Sequence, residues 1–184
     1  MTKMTASLIG AMLSGTLALA PPTWAMDDKA DDKPDPVSVE YKDSKDFTDA
    51  SDRGLYGRAS ESVMKELSTH FQKEGAKYLK DGQTLEIEVT DIDLAGRFEP
   101  SRSPGLEDVR LMRDITWPRM QFNFSVKQDD EVVDSGEAKL ADMSYLTSSR
   151  PVGSNESMYY DKRMIDRWFR KHFETEAETT ASAQ

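Results

Sequence analysis

The sequence predicts an α+β domain, a two-layer sandwich in which two helices pack on one face of a mixed sheet of about five strands. Two patterns lead to this prediction. Apolar and polar residues alternate in several short segments, most clearly over 119–126 (RMQFNFSV), and such alternation is typical of half-buried strands. Two other segments repeat apolar residues at helical spacing, one early in the domain and one at its end.

The first three elements form a strand–helix–strand unit. Residues 37–41 (VSVEY) place alternate apolar side chains on one face, as a short strand does. A helix is predicted over 58–79, where Val63, Leu67 and Phe71 recur at helical spacing. The next strand follows after a short link. This order predicts a right-handed crossover in which the first two strands are parallel.

The second strand has a break in its apolar pattern. Its apolar residues lie at odd positions up to Val89 and at even positions from Ile92 onward. Because side chains alternate with a period of two, one extra residue near Thr90 is needed to keep both sets in the core. The sequence therefore predicts a β-bulge. The bulge is expected to leave Asp91 and Asp93 solvated, on the outer face or at the strand end.

The stretch DIDLAG, residues 91–96, resembles the first half of a calcium-binding loop. Asp91, Asp93 and Gly96 occupy the first, third and sixth positions of an EF-hand loop. The twelfth position, which requires a bidentate glutamate, is Arg102, and the preceding segment is a predicted strand instead of a helix. We therefore predict no calcium site here and assign no metal ligand or cofactor to the chain.

The second half of the domain contains a loop, a hairpin and a closing helix. The loop, residues 96–108, is rich in proline and glycine, and a further strand is predicted over 108–115. The strand at 119–126 turns back through QDDE to form a hairpin. The closing helix is predicted over 157–173, with Met158, Ile165, Trp168, Phe169 and His172 on its apolar face.

The composition excludes several kinds of chemistry. The chain of 184 residues has no cysteine, which excludes thiol nucleophiles, disulfides and cysteine-ligated zinc. Its two histidines, His70 and His172, lie on or beside the apolar faces of the predicted helices. We expect both to be buried, neutral and hydrogen-bonded to the backbone. The formal net charge of −10 argues against nucleic-acid binding through bulk charge.

The two ends of the chain are predicted to lie outside the domain. Residues 1–25 combine Lys3, a short apolar run and small residues up to Ala25, as in an export signal cleaved after Ala25. A membrane span needs roughly 20 apolar residues, and this run is shorter, so we expect a periplasmic mature chain without a span. Residues 26–36 are expected to be a disordered acidic linker, 37–173 a single domain, and 174–184 a disordered tail.

Arginines are concentrated between residues 97 and 119. This segment carries five arginines against four acidic residues, in a chain whose net charge is −10. Arginine suits carboxylate and phosphate partners, and loops beside a rigid sheet often carry binding residues. The alternative is that these arginines pair with nearby acids, where each pair contributes little. The candidate binding residues are Arg97, Phe98, Arg102, Arg113 and Trp117.

Four separated segments resemble the bacterial domain-of-unknown-function 3016 family (DUF3016). They are LEIEVTDIDLAGRFEP, DVRLMRDITWPRM, LADMSYL and YYDKRMIDRWFRKHF, and they occur in this order over nearly all of residues 37–173. The resemblance implies a small, single-domain bacterial protein that is commonly exported. It implies no catalytic or binding residue.

Two classes of function follow from these observations. The first is a non-catalytic envelope module that binds a protein or an anionic ligand through residues 96–119, with arginines pairing anionic groups and aromatic rings supplying apolar contact. An envelope stress or assembly factor differs from it only in the partner. The second is a hydrolase that uses Asp91, Asp93 and Asp114, with or without a divalent cation.

Overall fold

The computed structural model describes residues 35–54, 58–99, 109–147, 151 and 156–182, with side chains up to residue 174. A four-stranded mixed sheet forms its centre. In sheet order, the strands are β1 (Val37–Tyr41), β2 (Gln83–Asp93), β5 (Arg119–Gln128) and β6 (Glu131–Ala141). A separate ribbon pairs β3 (Arg97–Phe98) with β4 (Arg110–Leu111), and the helices are α1 (Glu61–Gly75) and α2 (Tyr159–Ser182).

The pairing of the strands follows the predicted connections. β1 and β2 are parallel, with Val37 opposite Leu85. β5 is antiparallel to both β2 and β6, so β5 and β6 form the predicted hairpin. The pairing of β2 with β5 shifts by one residue between Val89 and Asp91, at the predicted bulge. Because of this shift, Val89 and Ile92 are both fully buried.

The main sheet has four strands and not the five that the sequence predicts. The strand is predicted over 108–115; within the described residues 109–115, only the two residues of β4 form a strand, and they pair with β3 outside the main sheet. The apolar residues of this segment do not alternate, since Leu111 and Met112 are neighbours, and both side chains are exposed. A segment without a continuous apolar face cannot cover the core, which is why it stays outside the sheet.

Both helices pack on one face of the main sheet, as predicted. Leu67 and Phe71 of α1 and Ile165 and Phe169 of α2 are fully buried. Burying one such side chain contributes roughly 1.5–3 kcal/mol, so this layer is the main source of stability. The sheet residues in the same cluster are Leu85, Ile87, Val89, Ile92, Met120, Phe122, Phe124 and Val126.

The bounds of both helices differ from the predicted ones. α1 begins after Ser60, whose hydroxyl accepts a hydrogen bond from the backbone N–H of Ser62, and it ends at Gly75. α2 continues to Ser182, beyond its predicted end at residue 173 and into the expected tail. Within the described part of the chain, no helix is long and apolar enough to cross a membrane. The export signal predicted over 1–25 lies outside the described residues.

Each of the two histidines contacts a carboxylate, a partner that we did not predict. His70 Nε2 lies 2.6 Å from Asp166 Oδ1, and His172 Nε2 lies 2.7 Å from Asp134 Oδ2. In each case the partner lies on the facing element, α2 for His70 and β6 for His172. The sequence does not indicate these partners, because packing brings an acidic residue of another element to each histidine, which helix spacing alone does not reveal.

Candidate functional site

Asp93, at the end of β2, is buried, whereas we predicted that it would be solvated. The residue is 3% exposed, and its carboxylate accepts hydrogen bonds from Arg97 Nη2 at 3.4 Å and from Arg119 Nε at 3.0 Å. Two arginines from neighbouring strands thus neutralise the carboxylate. This pairing makes its burial possible, because a buried charge is tolerated only when it is paired and hydrogen-bonded.

The other two aspartates of the hydrolase hypothesis have different surroundings. Asp91 accepts hydrogen bonds from the backbone N–H of Thr48 at 2.8 Å and from its hydroxyl at 3.0 Å. Asp114 is exposed. In the described ranges, no group of three or more acidic or histidine side chains could hold a metal ion. The described contacts therefore do not join Asp91, Asp93 and Asp114 in a common site.

The arginines of the predicted binding segment are paired with acidic residues. Arg113 donates from Nε and Nη2 to the two carboxylate oxygens of Glu99, at 2.5 and 2.7 Å, and these hydrogen bonds lower the pKa of Glu99. Arg97 and Arg113 still keep 49% of their side chains exposed. Because both are already paired, they offer polar contacts and not free charges. Arg102 lies outside the described residues.

The two aromatic candidates, Phe98 and Trp117, are each covered by an arginine. Phe98 is 7% exposed, and the guanidinium carbon of Arg110 lies 4.6 Å from its ring centroid. Trp117 is partly buried, and the guanidinium carbon of Arg119 lies 5.8 Å from its ring centroid. The Phe98 ring therefore faces the interior instead of serving as an exposed anchor.

An exposed apolar segment, residues 109–115, contains β4 and the turn after it. Its apolar side chains are Val109, Leu111, Met112 and Ile115, all of them exposed, and Ile115 is 71% exposed. Soluble proteins rarely expose several large apolar side chains together unless the surface binds something. These residues lie within the binding segment predicted over 96–119, but none of the four was predicted as a contact, because the sequence pattern assigned them to a strand of the sheet.

A second pair of exposed apolar side chains lies on the neighbouring chain segment. The hydroxyl of Tyr145 donates to the carbonyl oxygen of Arg113 at 2.7 Å, which ties the 3₁₀ turn at Tyr145–Thr147 to the apolar segment. Tyr145 is fully buried, but Met143 and Leu146 beside it are exposed. Exposed apolar side chains therefore come from two chain segments that are joined by a hydrogen bond.

A cavity of about 260 Å³ lies between the end of β2, the β3–β4 ribbon and the start of α2. Most of its walls are apolar, and three ionisable side chains also line it. The apolar walls are Val63, Leu94, Ala95, Phe98, Met112 and Met158, the ionisable side chains are Asp52, Arg110 and Asp161, and Ser51 and Ser157 also line the cavity.

Asp161, in the first turn of α2, is the most deeply buried of these groups. The residue is 3% exposed, and its Oδ1 accepts a hydrogen bond from the backbone N–H of Ala95 at 3.0 Å. The carboxyl group also accepts a hydrogen bond from the backbone N–H of Asp161 itself, and no side chain of a described residue donates to it. Burial raises the pKa of Asp161 to about 7, from an ordinary value of 3.8. The carboxyl group thus changes charge near neutral pH.

Arg110 is held by four hydrogen bonds. Its Nη1 and Nη2 donate to the two carboxylate oxygens of Asp49 at 2.9 and 3.0 Å. The same nitrogens donate to the carbonyl oxygens of Gly96 at 2.8 Å and Ser51 at 2.9 Å. The Arg110–Asp49 pair is therefore a closed unit in which each charge cancels the other. The sequence analysis counted Arg110 among the arginines but assigned no role to Asp49 or Asp161.

The fold and this site define a small α+β domain with an exposed apolar segment and a carboxyl group buried beside a cavity. Comparison with protein families adds an identity: the model of the family described as "Protein of unknown function (DUF3016)" matches residues 35–171. The chain belongs to this family, which confirms the resemblance of its four segments. No curated protein and no solved structure matches the chain.

Proposed function

We propose that this chain is a non-catalytic module of the bacterial cell envelope that binds a partner protein through the apolar segment. The observation that carries the proposal is the exposure of four large apolar side chains within residues 109–115, Ile115 being 71% exposed. Binding of a partner that removes such apolar area from water is favoured by roughly 25 cal/mol per Å² of area buried.

The surrounding polar groups favour a partner with acidic groups around an apolar centre. Arg97 and Arg113 are half-exposed; Arg113 lies within the apolar segment, and Arg97 lies in β3, opposite Leu111 of that segment. Each is paired with an acid of this chain, so it would contribute to the rim of an interface and to the choice of partner more than to affinity. This arrangement supports a protein partner over a free anionic ligand, which would have to displace the existing carboxylates.

The cell envelope belongs to the proposal because of the N-terminal sequence. Residues 1–25 have the features of an export signal cleaved after Ala25. A periplasmic extract is therefore expected to contain a chain that begins at Met26, and an intact mass measurement identifies it. A chain that keeps its first 25 residues and stays with the cytoplasm contradicts this part of the proposal.

Among the described residues, no contact favours the hydrolase. The carboxylate of Asp93 accepts hydrogen bonds from two arginines, and that of Asp91 accepts hydrogen bonds from Thr48. A catalytic carboxylate needs access to substrate and a pKa suited to proton transfer. The paired carboxylate of Asp93 does not meet the first requirement, so we do not carry this alternative further.

Affinity capture with charged variants tests the binding proposal. Leu111→Asp with Ile115→Asp places two charges in the apolar segment, and we expect the captured partner to fall at least tenfold. Val132→Asp with Val133→Asp is the matched control, because these residues are equally apolar and exposed but lie in the β5–β6 hairpin. Equal capture by both double variants, with unchanged melting temperatures, would show that the apolar segment is not the binding surface.

A further inference from the structure

The cavity beside Asp161 has the size of a small ligand or of one long side chain. Its volume is about 260 Å³. A water molecule occupies about 30 Å³ of liquid, so a cavity of this size holds roughly eight or nine non-hydrogen atoms. Apolar residues form most of its walls, among them Leu94, Phe98 and Met158. A fitting occupant is therefore short and mainly aliphatic.

Among the described residues that line the cavity, no free cation balances the two carboxylates. Asp49 balances the charge of Arg110, and Asp49, Ser51 and Gly96 engage four of its five N–H donors, so Arg110 has little to offer an anion. The carboxyl group of Asp161 accepts hydrogen bonds from two backbone N–H groups, that of Ala95 and its own. Asp52, which also lines the cavity, adds a second carboxylate, which accepts a hydrogen bond from the Ser62 hydroxyl at 2.8 Å.

We propose that this cavity binds a primary ammonium group carried on a short aliphatic chain, with the Asp161 carboxylate as its counter-ion. An ammonium group has three donors and no acceptor, which matches a buried carboxylate that forms no ion pair with a described residue. Its aliphatic chain matches the walls at Leu94, Phe98 and Met158. An anionic occupant would meet the carboxylates of Asp52 and Asp161, and no free cation among the described lining residues balances them.

Two sources supply this chemistry: a free aliphatic amine and a lysine side chain of a partner. Met112 lines the cavity and also belongs to the apolar segment, so a partner bound there would lie beside the cavity. The lysine source rests on the proposed function, whereas the free-amine source does not. The two sources are separated by using a free amine and a capped lysine as probes.

Titration of the full chain with n-pentylamine at pH 8, followed by NMR, tests the proposal. At this pH an aliphatic amine keeps its proton, since its pKa is about 10. We expect saturable shifts of the Ala95 amide and of the Met112 and Met158 methyl groups. Asp161→Asn, which keeps an acceptor for the Ala95 N–H, should weaken binding at least tenfold. Asp114→Asn, at an exposed position that does not line the cavity, is the matched control and should leave binding unchanged.

Other results of this titration either overturn the proposal or identify the source of the ammonium group. If neutral n-pentanol binds as tightly as n-pentylamine, or if Asp161→Asn binds the amine as wild type does, the proposal is overturned. If Asp161→Asn does not fold, Met112→Arg replaces it, because a cation at this exposed wall should also weaken amine binding. Binding of Nα-acetyl-lysine methylamide within threefold of n-pentylamine assigns the cavity to lysine side chains as well. Binding of n-pentylamine alone assigns it to free amines.

Discussion

At the scale of single residues, Asp161 makes the stability of the domain depend on pH. Its pKa is about 7 in the folded chain, against an ordinary value of 3.8. Burial is the main cause of the raised pKa; among the nearby charges, Arg110 lowers the pKa and Asp49 raises it. Between these two pH values the folded chain holds a proton that the unfolded chain releases. The contribution of Asp161 to the free energy of unfolding therefore falls as pH rises from about 4 to about 7.

Asp161→Asn should remove this part of the pH dependence. Asparagine keeps an acceptor for the Ala95 N–H but has no proton to lose. The variant should gain stability relative to wild type as pH rises from 4 to 8, by a difference on the order of 1–4 kcal/mol. Urea unfolding at several pH values measures it, with Asp114→Asn as the control that should follow wild type. Parallel pH profiles for wild type and Asp161→Asn would contradict the account.

The burial of Asp161 could not be predicted from the sequence. The sequence places it near the start of a helix, where acidic residues are common because they interact well with the helix dipole. Nothing in its spacing indicates that it would lie beneath the turn after β2 and accept the N–H of Ala95. Asp93 is a similar case, because its burial depends on arginines from other strands.

At the scale of elements, the end of α1 is unusually close to β1 and α2. A Cβ atom added at Gly75 would lie 2.8 Å from Val37 Cγ2 and 3.3 Å from Phe169 Cε1. In an exposed helix, replacing glycine by alanine adds about 1 kcal/mol of stability. Here the added methyl group meets packed side chains instead, and overpacking typically costs about 1–3 kcal/mol.

Gly75→Ala should therefore destabilise the domain, by up to about 2 kcal/mol after the gain in helix propensity is subtracted. Equilibrium urea unfolding measures the change. Lys73→Ala is the matched control, because this exposed position in the same turn has no packed neighbour to displace and should change stability little. A stabilised Gly75→Ala variant would show that the helix end moves freely away from Val37.

The elements that the sequence predicts well are those with a strict apolar period. The shift between Val89 and Ile92 indicates the bulge in β2, and the alternation over 119–126 indicates β5, both of which the structure confirms. The segment at 108–115 lacks such a period, and only β4 within it is a strand. Its exposed apolar residues resemble core residues in the sequence, because composition does not distinguish a surface that binds a partner from a buried one.

At the scale of the whole molecule, the proposed binding features share one end of the sheet. Asp93 lies opposite Arg119, and Arg119 lies opposite Ala141, so the end of β2, the start of β5 and the end of β6 lie side by side. The apolar segment precedes Arg119 in the chain, and Met143 follows Ala141. The exposed residues Val132 and Val133 lie in the hairpin at the opposite end of β5 and β6.

Because the apolar segment and the β5–β6 hairpin lie at opposite ends of the sheet, variants at the two ends can be compared to test whether the apolar segment binds a partner. Both ends carry exposed apolar side chains, and within the described residues the end with the apolar segment combines them with the half-exposed Arg97 and with the cavity. If exposed apolar side chains bound partners non-specifically, both ends of the sheet would bind alike. A dedicated binding surface would act only at the apolar segment.

In-cell photocrosslinking from position 115 is the most direct measurement. A photoreactive amino acid replaces Ile115 in the full chain, and the same residue replaces Val133 in the control. The account predicts one discrete crosslinked protein from position 115, its loss when Leu111→Asp is added, and no such product from position 133. The same product from both positions, or a product from position 115 that Leu111→Asp leaves unchanged, would contradict the claim that the apolar segment binds a partner.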